Sequence, residues 1–120
     1  MRGPDLATGV SVTPPADYDP LGAGTNEDVA PSFAWVAASR FRLDMLNNRP
    51  LCGAGDPELL VTSAGEVRIH FPIVDPDAIC ILMLAPVSFE FELPESASSR
   101  PLTITVTYEG GPQVDTATLH

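Results

Sequence analysis

Pro86-Val87-Ser88-Phe89-Glu90-Phe91-Glu92-Leu93 decides the fold. Val87, Phe89, Phe91 and Leu93 fall on one parity, and Ser88, Glu90 and Glu92 on the other. Successive side chains of a strand point to opposite faces, so this alternation predicts a strand with one buried and one solvated face. Wound as a helix, the same segment would scatter its four apolar residues around the circumference. A strand with one apolar face must bury that face against another layer.

The same pattern recurs on both sides. Leu102, Ile104, Val106 and Tyr108 alternate with Thr103, Thr105 and Thr107. Gly110-Gly111-Pro112 turns the chain into a last strand from Val114 to Leu119. Upstream, Val67, Ile69, Phe71 and Ile73 alternate with Arg68, His70 and Pro72. Ala64-Gly65 links that run to the strand Leu59-Leu60-Val61-Thr62-Ser63, a hairpin signal. Asp75-Pro76-Asp77 is a turn, and the apolar run from Ile79 to Ala85 is consistent with a strand buried on both faces. Phe41, Leu43 and Met45 alternate with Arg40, Arg42 and Asp44. Before them, Phe33-Ala34-Trp35-Val36-Ala37-Ala38 fits either a strand or one or two helical turns. Short strands separated by turn signals, with no long helical pattern between them, exclude an α/β fold. The expected fold is all-β: an antiparallel β-sandwich, immunoglobulin-like or jelly-roll-like. Its core should contain Phe41, Leu43, Val67, Ile69, Phe71, Ile81, Phe89, Phe91, Ile104 and Val106.

Residues 1–31 differ in texture. Five prolines and four glycines punctuate them, and only Val10-Ser11-Val12-Thr13 reads as a short strand. The chain therefore divides into an extended N-terminal arm, 1–31, and a sandwich domain, 32–120. Val10, Val12, Tyr18 and Leu21 are the apolar residues with which the arm would dock on a partner. At 120 residues the chain suffices for one core.

Sixteen acidic residues against six basic ones give a net charge of −10, which opposes binding to nucleic acid or an anionic membrane surface. All six basic residues are Arg, which fits GC-rich codon usage or adaptation to salt. No run of 18 apolar residues is present to span a membrane as a helix. Met1-Arg2-Gly3-Pro4-Asp5 leads into no apolar stretch of the kind a secretory signal needs.

No constellation carries a catalytic or cofactor signature. Cys52 and Cys80 form either a disulfide, worth about 3.5 kcal/mol for a loop of this length, or two unpaired thiols. The redox state of the native compartment decides between them. With His70 and His120 they show no zinc spacing, and no histidine stands near Cys80 and Met83 to complete a copper site. Asp17 with Asp19 and Asp75 with Asp77 supply two carboxylates each, too few for calcium. Ser39, Ser63 and Ser88 lie in no nucleophile elbow. Glu90 and Glu92 share one strand face and read as a solvated surface that opposes edge aggregation. The expectation is no enzyme, no cofactor and no metal.

From Leu51-Cys52-Gly53 through Val67-Arg68-Ile69-His70-Phe71 and Cys80 to Pro86-Val87-Ser88-Phe89-Glu90-Phe91, the chain resembles small immunoglobulin-like sandwiches of secreted bacterial proteins and phage capsid decoration proteins. The Cys…Trp…Cys order of antibody domains is not met, because Trp35 precedes both cysteines. The resemblance assigns no site residue. Together with the acidic composition, the arm and the N-terminus, it leads to the expectation of a non-enzymatic structural subunit. That subunit would dock on a larger particle as a phage virion decoration or accessory protein assembled in the host cytoplasm. Its partner would be a capsid or other assembly protein, or further copies of itself. The alternative is a secreted bacterial immunoglobulin-like module for adhesion or carbohydrate binding.

Overall fold

The computed structural model describes residues 6–16, 31–47, 53–78, 85–97, 99–109, 111–112 and 114–120. Its strands in chain order are β1 (Leu6–Thr8), β2 (Val10–Val12), β3 (Ser32–Ala37), β4 (Arg40–Asn47), β5 (Glu58–Ser63), β6 (Glu66–Phe71), β7 (Ala85–Glu92), β8 (Leu102–Tyr108) and β9 (Val114–Leu119). No described residue is helical. The ambiguous segment before Phe41 is therefore strand, paired with β4 from Ser32 against Asp44 to Ala37 against Arg40.

The strands form two sheets, one in the order β1-β5-β6-β8-β9 and the other β2-β7-β4-β3. Their facing sides hold the core. Phe41, Leu43, Leu59, Val67, Ile69, Phe91, Leu102, Ile104 and Val106 are wholly buried, with Phe71 nearly so. Phe41 and Phe91 stack at 5.3 Å between centroids, and Phe71 stacks on Tyr108 at 5.5 Å. Phe89 is partly buried and meets Phe71 edge-on. Ile81, expected in the core, lies outside the described residues, as does the apolar run except Ala85, which begins β7. Ile73 does not extend β6; it forms an isolated bridge with Ala54.

Two features depart from the sequence expectation. First, the sandwich is not wholly antiparallel: β6 and β8 run parallel, from Glu66 beside Thr103 to Phe71 beside Tyr108. Parallel neighbours need a crossover connection. Here the chain leaves β6, contributes β7 to the opposite sheet, and returns to lay β8 beside β6.

Second, residues 6–12 of the segment expected as an arm are built into both sheets. β1 pairs with β5, Leu6 opposite Leu60, and β2 pairs with β7, Val10 opposite Glu90. The chain changes sheets at Gly9, which is buried and donates its N–H to the Pro57 carbonyl at 2.8 Å. A Cβ there would stand 2.8 Å from the Phe91 ring and from Pro57, so only glycine lets the crossing pass this close to the core. The physical reason for the correction is that unpaired backbone at a sheet edge gains ladder hydrogen bonds from even three residues.

The opposite flank joins β3 to β9. Trp35 donates its indole N–H to the His120 carbonyl at 3.3 Å, and the Arg100 guanidinium lies 4.4 Å over its ring.

Candidate functional site

Several polar residues of the two outer faces engage one another. On the β2-β7-β4-β3 sheet, Asp44 Oδ1 accepts hydrogen bonds from Ser88 Oγ at 2.6 Å and from Arg42 Nε at 2.8 Å. Asp44 and Ser88 are 4% and 1% exposed although they face away from the core. Charge-assisted bonds offset the cost of withdrawing that carboxylate from water. Arg40 meets Glu92 at 3.1 Å, an exposed pair that contributes little. Glu90 stands opposite Arg42 on the ladder.

On the other sheet, His70 Nδ1 and Thr107 Oγ1 are 2.7 Å apart. Next to them Thr103, Thr105, Thr116 and Thr118 give β8 and β9 a hydroxyl-rich outer face. The Tyr108 hydroxyl donates to Asp115 Oδ2 at 2.8 Å. Burial, that hydrogen bond and the Asp115 charge all push the phenol's pKa far above its ordinary value, so it stays a neutral donor. Asp77 donates its backbone N–H to Asp75 Oδ1 at 3.3 Å, a turn contact that spends one of the paired carboxylates locally. Among the described residues, no three His, Cys, Asp or Glu side chains gather in a metal-binding group.

What the faces leave open is the flank where β1 and β2 enter the sandwich. Leu6 and Leu60 are 56% and 43% exposed, and the register sets them directly opposite each other. Val10, four residues on, is 63% exposed. Leu6 and Leu60 face outward on the β1-β5-β6-β8-β9 sheet, whereas Val10, opposite Glu90, faces outward on the other sheet. Covering the remaining area of either leucine would yield about 1 kcal/mol.

Of the residues singled out from the sequence, Val10 is on this flank and Val12 is half-buried beside it on β2. Tyr18 and Leu21 lie outside the described residues, as do Cys52, Cys80, Asp17 and Asp19. Sequence reasoning missed Leu6 and Leu60. Leu60 was within reach: once Leu59 is taken as inward, its neighbour faces out. Leu6 offered no signal, because a three-residue strand is too short to display alternation.

Compared with known protein families, curated proteins and solved structures, the chain has no match.

Proposed function

We propose that the protein is a non-enzymatic structural subunit that docks on a larger particle, most concretely as a decoration or accessory protein of a phage virion. The observation that carries this reading is the exposed Leu6–Leu60 pair, with Val10 on the adjoining strand. Leu6 and Val10 stand on the first two strands of the chain, and Leu60 stands on β5, which pairs with β1. The flank supplies apolar area, the rigid sandwich supplies shape, and a chain of net charge −10 is matched by a basic protein surface.

The test is cosedimentation with virions of the phage that encodes the chain. Leu6→Ser with Leu60→Ser should keep the native circular dichroism spectrum and lose occupancy on the particle. Wild-type occupancy by that double variant would refute the docking flank. A second reading, a secreted module for adhesion or carbohydrate binding, is favoured by the threonine face of β8 and β9. It would be selected if wild-type protein ignored the virions and bound a polysaccharide, with Thr105→Ala weakening that binding.

A further inference from the structure

Among the described residues the sandwich has four edge strands, and they are not equivalent. β1 and β2 are three residues long, and β2 runs into Pro14-Pro15. β3 carries a register shift between Trp35 and Ala37. Short length, proline and bulges are the devices that stop an edge from recruiting another strand. β9 is neither short, bulged nor interrupted by proline, and its one such device is the charge of Asp115 on the inward parity with Ala117 and Leu119. It spans six residues without proline, lysine or arginine, and pairs with β8 without a register shift from Val114 against Thr107 to Leu119 against Leu102. No described residue pairs with its other side. Its single charged side chain, Asp115, receives the Tyr108 hydroxyl.

From these edges we infer that β9 is a self-association edge, and that its occupant is β9 of a second copy of this chain. An antiparallel two-fold pairing centred on Thr116 joins the two five-stranded sheets into one. It places Asp115 of each copy opposite Ala117 of the other, and Val114 opposite Thr118, so no like charges face each other across the ladder. It also brings Val114, 59% exposed, towards the end of the other copy where Trp35 meets His120. Val36, 41% exposed, lies beside that Trp35. The edge is thus self-complementary in charge and in apolar residues. Five residue pairs make a small interface, so the dimer forms and dissociates with concentration. Two copies of net charge −10 repel each other, so added salt strengthens the association. This inference does not rest on the proposed function.

Sedimentation velocity across a concentration series tests it, using wild type, Thr116→Lys, Thr116→Glu, and an equimolar mixture of the two variants. Thr116 is exposed, so both variants should keep the wild-type melting temperature. The expected result is a wild-type dimer at high concentration, association at least about fivefold weaker in each single variant, and recovery in the mixture. Recovery is specific to a pairing in which residue 116 faces its own counterpart. Should a variant misfold, hydrogen exchange on the wild type decides: β9 amides slow as concentration rises. A wild-type chain that stays monomeric, with β9 exchange independent of concentration, overturns the inference. So do single variants that dimerise like wild type.

Discussion

Gly9→Ala distinguishes a stitched N-terminus from a dangling one by the sign of its effect. In a free segment this substitution leaves stability unchanged, because both states are equally unordered there, and in an ordered conformation open to alanine it stabilises by about 0.4–1 kcal/mol by stiffening the unfolded chain. Gly9 has no positive φ that would forbid a side chain. The added methyl would nevertheless sit 2.8 Å from two carbons of the Phe91 ring and from Pro57 Cγ. Phe91 is wholly buried and stacked on Phe41, and Pro57 is buried as well, so neither can swing into solvent. Overpacking of this kind costs about 1–3 kcal/mol. The entropy of unfolding scales with chain length, so each kcal/mol is worth about 4 °C in a chain of this size. The melting temperature should therefore fall by about 4–12 °C, and the urea midpoint should drop with an unchanged slope. A melting temperature that stays level or rises would show that residues 6–12 do not cross the core at Gly9.

Phe91→Ala should cost about 3–5 kcal/mol, whereas Glu92→Ala, one residue on and on the solvated face, should cost less than about 1; equilibrium urea unfolding compares them. The neutral Tyr108 phenol gives the fold stability that is fully present below about pH 10, where the unfolded phenol is also neutral. That stability is lost as pH rises further, because only the unfolded chain then ionises. Melting temperatures should accordingly fall above pH 10 in wild type and fall less steeply in Tyr108→Phe. The Gly53 carbonyl accepts the N–H groups of Val74 and Asp75, both at 3.0 Å, while Cys52 and Cys80 themselves lie outside the described residues. Protein purified from an oxidising medium should weigh two hydrogen atoms less than its reduced form and lose about 3.5 kcal/mol on reduction; equal masses would leave two thiols.

The parts of the fold that were legible are those where one face is buried and the other wet. β6, β7 and β8 declare themselves by period two, because each inward residue is apolar and each outward one polar. Alternation records the face of a residue but not the neighbour of its strand. The parallel pairing of β6 with β8 was therefore invisible, since it depends on β7 having gone to the other sheet. β2 was legible as the short strand beginning at Val10, but β1 and the partners of both were not: what holds them is backbone pairing with β5 and β7, which leaves no mark on side-chain pattern. Asp44 and Ser88 were rightly placed on an outward parity, yet parity gave no hint that they are buried. The candidate flank inherits both difficulties. Val10 stood out as an apolar residue in a polar segment, while Leu6 and Leu60 meet across a ladder the sequence does not reveal.

Hydrogen–deuterium exchange of the protein free and bound to its virion tests the docking reading most directly. The proposed function predicts added protection on the particle at residues 6–12 and 58–62, centred on Leu6, Val10 and Leu60, with the core strands β6 and β8 unchanged. Exchange at residues 6–12 and 58–62 that is identical in the two states would contradict it.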